Sequence, residues 1–240
     1  MSKILNLQRL VLAIAAFAVI AVTSVAASAD TVTFTTAGGA VNPQSGQPVS
    51  ATATFTVNAS GTLTITLTNN IVNQNDVSQN ISDLSFHIDG MTGTLSSSNG
   101  NTIFVNGGGT TGPGSNNVST GWVLDSTGPN FHLNGLGTAA NVPAYTILGA
   151  PDGTGVYSNA NGSIAGNNGH NPFLNQSATF TLSIPGLTSA SLISGVNFSF
   201  GTTAGVTVPG GNVPEPTTMM LLGTGLLGVA GVARRRFRKS

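Results

Sequence analysis

The chain has 240 residues, of which 40% are hydrophobic and only 6% are charged. Its seven Lys and Arg balance its seven Asp and Glu, but every basic residue lies near one of the two ends. From Asp30 to Val213 there are six Asp, no Glu and no basic residue. Because nucleic-acid binding needs Lys or Arg to neutralise phosphates, this composition excludes it. The absence of cysteine excludes a disulfide scaffold, a thiolate nucleophile and Cys-ligated zinc.

The first 29 residues have the pattern of a secretory signal peptide. Lys3 and Arg9 lie in a polar N-terminal stretch, and residues 10–22 form an apolar run that is short for a permanent membrane span. Ala27 and Ala29 then provide small residues at the −3 and −1 positions of a cleavage site before Asp30. The pattern predicts export through the Sec machinery, with residues 1–29 removed.

Residues 30–212 are predicted to form one all-β extracytoplasmic domain. In "ATATFTVNASGTLTITLT" apolar residues alternate with threonines on both sides of a turn, as in a hairpin with one buried and one solvated face. Further strands are predicted at 31–36, 81–88, 101–106, 121–126, 144–148, 178–184 and 195–200. Many short strands without an amphipathic helix favour a β-sandwich or related fold. The Gly/Asn/Ser-rich stretches 107–119 and 149–175 are predicted to be surface loops.

Candidate catalytic residues in this domain are few. Asp83 and Asp89 could share one face of a strand, as a glycosidase would need, but a solvated strand face explains the same spacing. His87, His132 and His170 lie among many serines without a Gly-x-Ser-x-Gly elbow. We therefore expect a protein that is not an enzyme, with a hydrolase as the weaker alternative.

Three binding alternatives also follow from the composition. The segments 72–80, 150–155 and 159–171 offer oxygen ligands for calcium, although no EF-hand is present and such turns are ordinary in β proteins; we expect no metal or other cofactor. Trp122, Tyr145 and Tyr157 could stack on sugar rings, as in a carbohydrate-binding module. Threonine ladders also occur on ice-binding surfaces, but two adjacent strands are too few for one.

The C-terminal segment "VPEPTTMMLLGTGLLGVAGVARRRFRKS" (213–240) combines three signals. Pro214-Glu215-Pro216 is an extended tripeptide with few amide donors, which a processing enzyme can grip. Residues 217–233 carry no charge and would be about 25 Å long as a single transmembrane helix. A basic cluster then keeps the end of the chain in the cytoplasm and the body outside; it consists of Arg234, Arg235, Arg236, Arg238 and Lys239.

This combination resembles the PEP-CTERM sorting signal of Gram-negative, exopolysaccharide-producing bacteria. The resemblance implies that the membrane-embedded enzyme exosortase recognises Pro214, Glu215 and Pro216. It further implies export, transient anchoring in the inner membrane through residues 217–233, cleavage, and transfer to the cell surface or the extracellular matrix. We accordingly expect a structural surface or matrix protein, with exopolysaccharide as a candidate partner.

Overall fold

The computed structural model describes residues 30–58, 61–137, 144–188 and 191–213. These residues form thirteen strands and two short 3-10 helices, which confirms the all-β class. Within these ranges, no helix has the length and apolar character that a membrane crossing requires. The predicted signal peptide (1–29) and transmembrane helix (217–233) lie outside the described residues.

Most predicted strands are present with shifted ends. In chain order, the strands are β1 (Asp30–Thr36), β2 (Ala51–Asn58), β3 (Thr62–Asn69), β4 (Ile81–Ile88), β5 (Thr94–Val105), β6 (Thr111–Gly112), β7 (Val118–Ser119), β8 (Val123–Thr127), β9 (Asn130–Asn134), β10 (Ile147–Leu148), β11 (Phe173–Ser183), β12 (Ile193–Phe200) and β13 (Thr207–Val213). The 3-10 helices are Val77–Gln79 and Gly107–Gly109.

Eight of these strands close into a barrel in the order β11-β3-β2-β1-β13-β12-β4-β10, with β10 pairing back onto β11. All neighbours are antiparallel except β10 and β11. The remaining strands extend the sheet beyond β11 and β4. The predicted β-sandwich is not confirmed. A sandwich has two separate sheets, whereas here β13 pairs with β1 and β12, and the two-residue strand β10 pairs with β4 and β11, so that one sheet closes on itself.

The β2–β3 hairpin is confirmed in full register, from Ala51↔Asn69 to Asn58↔Thr62. Its alternation places the apolar side chains inside, because successive residues of a strand point to opposite faces. The core continues as a chain of aromatic rings from Phe34 through Phe55 and Phe86 to Phe131, with centroid separations of 5.7, 5.1 and 5.0 Å. Offset and edge contacts at such distances stabilise the interior beyond area burial alone.

The predicted surface loop at 149–175 is only partly on the surface. Tyr157 and Ile164 are buried in a second apolar cluster with Val105 and Phe173. The Tyr157 hydroxyl donates a 2.7 Å hydrogen bond to the Gly149 carbonyl. The loop thus buries its own apolar residues in this second cluster. The other predicted loop, 107–119, contains the short strands β6 and β7.

Buried amide side chains support the place where the barrel closes. The Asn69 amide donates to the carbonyls of Gln79 and β10 residue Ile147, both at 2.9 Å. Asn80 donates to the Thr146 hydroxyl at 2.8 Å. Since β10 and β4 share a single register pair, these bonds supplement a short backbone ladder. We name this set the closure network: Asn69, Gln74, Gln79, Asn80 and Thr146, all at most 3% exposed.

Candidate functional site

One outer wall of the barrel carries an ordered array of hydroxyl groups, which we name the hydroxyl face. The outward side chains of β1, β2, β3 and β11 stand in register across the four strands. Adjacent strands are about 4.8 Å apart, and alternate residues of a strand about 6.8 Å apart. The face has three rows: Thr31, Thr56, Thr64 and Thr181; Thr33, Thr54, Thr66 and Thr179; Thr35, Thr52, Thr68 and Ser177.

The hydroxyl face is neutral and retains free hydrogen-bonding capacity. The Thr31–Thr56 and Thr33–Thr54 hydroxyl pairs lie 3.4 Å apart, at the long end of hydrogen-bond distances. Its rows contain no charged side chain. Because each hydroxyl can both donate and accept, the face suits partners that are themselves rich in hydroxyl groups or water.

A second feature is the end of the barrel at which the described chain enters and leaves. Asp30 is the first residue of β1 and Val213 the last of β13. The two strands are antiparallel neighbours, with Thr33 opposite Val213. The described part of the chain therefore begins and stops at the same end of the barrel, which we name the exit end.

A cavity of ≈ 200 Å³ opens at the exit end. Two exposed apolar side chains lie near it, Leu192 at 74% and Val213 at 41% exposure. Its lining comes from β1, β2, β12, β13 and the segment preceding β12: Asp30, Val32, Val57, Ser191, Leu192, Ile193 and Asn212. The cavity is lined by the starts of β1 and β12, at the end of the barrel where β13 pairs with β1 and no longer with β12.

The carboxylates predicted as a possible catalytic pair do not share a strand face. Asp83 is 2% exposed and accepts a 3.0 Å hydrogen bond from the Gly135 amide, while Asp89 lies in an exposed turn after the end of β4. Burial raises the pKa of Asp83, although His132, whose Nε2 lies 4.0 Å from its Oδ1, acts in the opposite direction. The pairing expected from strand alternation fails because β4 ends at Ile88.

The histidines occupy separate surroundings. The His87 ring contacts the Asn130 side-chain oxygen through Nδ1 at 3.0 Å, and the His170 ring contacts the Ser163 carbonyl. Among the described residues, no group of three His, Asp or Glu side chains is arranged to hold a metal ion.

The acidic side chains of the oxygen-rich segments considered as calcium ligands accept hydrogen bonds from the protein. Asp76 caps the helix Val77–Gln79 by accepting from the Ser78 amide at 2.8 Å, and it accepts from Asn161 at 2.8 Å. Burial raises the pKa of Asp76, but these hydrogen bonds outweigh that effect and lower it. The hydroxyl of Thr154, followed by that of Ser158, lowers the pKa of Asp152 well below its usual range. Both carboxylates are thus engaged with donors of the protein.

The aromatic residues considered for sugar stacking do not form an exposed platform. Trp122 is 4% exposed, lies 5.1 Å from the Phe180 ring and donates from Nε1 to the Tyr145 carbonyl at 2.9 Å. Tyr157 is 1% exposed in the second apolar cluster. Trp122 and Tyr157 therefore do not cluster on an exposed face, which was the observation that would have favoured stacking on sugar rings.

The residues predicted for sorting follow immediately after the exit end. Pro214 is the next residue after β13, and Ala29 precedes Asp30 in the sequence. The sorting residues, the basic cluster and the cleavage-site alanines lie outside the described residues. What the structure defines is the body to which they are attached: an all-β domain whose last strand runs directly into an apolar and basic C-terminal segment.

A comparison with known families identifies that segment. Residues 212–236 match the model of the PEP-CTERM protein-sorting motif, which confirms the resemblance seen in the sequence. The chain is therefore a protein with a PEP-CTERM sorting motif, and the motif implies exosortase as its processing partner and the cell surface as its destination. No curated protein and no solved structure matches the chain.

The hydroxyl face was largely missed by sequence reasoning. Two of its strands, β2 and β3, are joined by a short turn and were predicted as a pair. β1 was predicted as a strand but was not paired with β2, and β11 comes from far along the chain, since Thr179 and Thr181 lie more than 100 residues from their partners Thr66 and Thr64. The repeated Thr-x-Thr pattern in "TVTFTT" and "ATFTLS" was the signal that could have grouped them.

Proposed function

We propose that the protein is a non-enzymatic component of the cell surface or extracellular matrix, sorted by exosortase and retained there through contacts of its hydroxyl face with neutral polysaccharide. The hydroxyl face is the observation that supports polysaccharide contact. It presents in-register hydroxyl groups on four adjacent strands, and such groups exchange hydrogen bonds with sugar hydroxyls in either direction.

Charge favours a neutral polymer as the partner. Residues 30–213 contain six Asp and no Lys or Arg, so an anionic polymer would be repelled by the body and would find no basic side chain to bind. The hydroxyl face itself adds no charge. Many weak contacts along one polymer, and many copies of the protein, would hold the two together by effective concentration.

Other functions find less support. An aromatic sugar-stacking site would need exposed rings, whereas Trp122 and Tyr157 are buried. A hydrolase would need converging carboxylates, whereas Asp83 is buried and Asp89 lies beyond β4. An ice-binding face would have to be flat, whereas sheets that close into a barrel twist and curve. We propose no cofactor, since Asp76 and Asp152 already accept hydrogen bonds from the protein.

The sorting part of the proposal is tested by Glu215→Ala in the native host. We expect the wild-type protein to lose its C-terminal span and basic tail, detected by intact mass, and the variant to accumulate unprocessed in the inner membrane. Asp89→Ala is the matched control, because it removes an exposed acid outside the motif. Equal processing of wild type and Glu215→Ala would contradict the role of Glu215.

The polysaccharide part is tested by co-sedimentation of the released protein with neutral polysaccharide purified from the matrix of the native host. Thr54→Val with Thr66→Val removes two facing hydroxyls at nearly constant shape. With about 1 kcal/mol for each lost hydrogen bond, we expect binding to weaken by roughly tenfold or more.

The matched control for this experiment is Thr127→Val with Thr207→Val, two exposed strand threonines outside the hydroxyl face. This control should bind like the wild type. Equal binding by both double variants would contradict the role of the hydroxyl face. Inhibition of ice recrystallisation by the wild type, lost in Thr54→Val/Thr66→Val, would instead make ice the partner.

A further inference from the structure

The last strand is held differently along its length. Residues Thr207, Val208 and Pro209 pair with β12, whereas residues 210–213 pair with β1. β13 therefore crosses from one neighbour to the other, and its final residues have a backbone partner on one side only. On their other side lies the cavity of the exit end, which Asn212 lines.

Side-chain packing anchors β13 up to Gly210 and little beyond it. Val208 is 8% exposed. A Cβ at Gly210 would lie 2.8 Å from the Phe198 ring, so the backbone packs closely on the core there. At Gly211 the nearest atom to such a Cβ is 3.9 Å away, and Gly211, Asn212 and Val213 are all exposed. Separation of these three residues from β1 would break three register pairs, and Val213 is the single one of them with an apolar side chain, already 41% exposed.

The matched sorting motif begins within this weakly held end. It starts at residue 212, so Asn212 and Val213 belong both to β13 and to the motif. Only Pro214, Glu215 and Pro216 separate Val213 from the predicted span at 217–233. Three extended residues reach about 10 Å, and three more would double that length. Release of residues 211–213 would therefore double the length of extended chain between the body and the predicted span.

We propose that residues 211–213 form part of the segment that exosortase takes up, and that they must separate from β1 before the chain is cleaved. Gly210 is the fixed point of this movement, and Gly211 is the first residue to move. β13 stays attached to the body, because Thr207, Val208 and Pro209 keep their pairing with β12. Between β1 and β13, the pair of Thr36 with Gly210 is the one of four register pairs that remains.

A single disulfide tests the proposal. The chain has no cysteine, and Thr33 faces Val213 across the β1–β13 ladder. Facing residues of antiparallel strands have Cα atoms about 4.5–5.5 Å apart, within the range that a disulfide spans. In the native host, the oxidised double variant Thr33→Cys/Val213→Cys should be processed at least tenfold more slowly than wild type. Reduction should restore processing.

We call the oxidised variant Thr33→Cys/Val213→Cys the locked variant, because its disulfide fixes β13 to β1. Three controls separate the effect of this disulfide from other effects of the substitutions. Val213→Cys alone reports on recognition of the side chain. Thr54→Cys/Thr66→Cys carries the same kind of cross-link between β2 and β3 and should be processed normally. Insertion of Gly-Ser-Gly-Ser between Val213 and Pro214 of the locked variant should restore processing. The four inserted residues replace the length of free chain that the disulfide takes away.

The inference is overturned if the locked chain, with its disulfide verified by mass spectrometry, is processed at the wild-type rate. The same insertion in the otherwise wild-type chain gives an independent measurement that needs no cross-link: the initial processing rate should rise, and an unchanged rate contradicts the proposal.

The inference rests on the sorting role of the motif. If Glu215→Ala blocks processing and the lock does not, only the inference fails; if neither blocks it, the sorting role fails as well.

Discussion

Strands are held together differently on the hydroxyl face and in the closure region, which is the part of the barrel where β10 pairs with β4 and β11. On the hydroxyl face, β1, β2, β3 and β11 pair over long, regular ladders, and each strand alternates threonine with apolar residues. In the closure region, β10 contributes two residues and meets β4 through one register pair. There, the closure network adds side-chain hydrogen bonds from Asn69, Gln74 and Asn80.

This difference indicates where substitutions will be tolerated. A regular ladder shares its stabilisation over many equivalent backbone bonds and an apolar face, so one outward side chain matters little. A buried amide network depends on each of its members, because removal of one leaves several buried partners without a hydrogen bond. We therefore expect the closure region to be sensitive and the hydroxyl face to be robust.

The largest expected effect is that of Asn69→Ala in residues 30–213. The substitution removes donors to the Gln79 and Ile147 carbonyls and the acceptor of the Ile71 amide. We expect a loss of about 2–4 kcal/mol in the free energy of unfolding, measured by urea denaturation. Asn70→Ala is the matched control, since the Asn70 side chain is exposed and donates to the Thr52 hydroxyl at 2.8 Å; this variant should change stability by about 0.5 kcal/mol or less. Similar losses in the free energy of unfolding for both variants would contradict the expected difference between the closure network and the hydroxyl face.

A smaller effect is expected from acid on the loops that adjoin the closure region. Hydrogen bonds lower the pKa of Asp76 below its ordinary value, so its carboxylate stabilises the folded state above about pH 4 and loses that contribution as pH falls through the folded-state pKa. Asp76→Asn should therefore lower Tm at pH 7 by a few degrees and bring no penalty once the pH lies below the folded-state pKa of Asp76. Thermal melts of the variant and of Asp89→Asn, an exposed acid, would test this; a pH-independent difference would count against it.

A still smaller effect is expected on the hydroxyl face. Thr66 is exposed, and Thr66→Val keeps a β-branched side chain in the strand. The free energy of unfolding should change by no more than about 0.5 kcal/mol. Leu67→Ala, the inward neighbour with 0% exposure, should instead cost about 2–5 kcal/mol. A large loss in Thr66→Val would mean that the hydroxyl face is structural.

No effect is expected from a chelator. Because Asp76 and Asp152 accept hydrogen bonds from neighbouring residues, we expect the same Tm in excess calcium and in EDTA. A higher Tm in calcium would identify a site by mass action and would restore the calcium alternative for these loops.

The same contrast explains which parts of the fold were predictable. The β2–β3 hairpin was predicted because its pattern and its turn lie within one short segment. β13 was missed because "TVPGGNV" contains Pro209 and two glycines, which are unfavourable in strands. The N-terminal half of β5, "TLSSSNGN", lacks the apolar alternation that marks a half-buried strand. The polar segment 72–80 was interpreted as a candidate calcium-binding segment because its buried partners, such as Thr146 for Asn80, lie 66 residues away.

The position of β13 also sets the order in which the body can be completed during export. β13 is the last strand of the described chain, yet it joins β12 to β1, the first strand. Thr33 and Val213 are 180 residues apart (213 − 33), so their pairing closes a very long loop and comes late in folding. Until residues 207–213 have crossed the membrane, β1 and β12 each retain an unpaired edge of the kind that favours aggregation. The barrel cannot close before residues 207–213 have been translocated, because β13 joins β12 to β1. A closed barrel therefore means that translocation has reached residue 212, where the sorting motif begins.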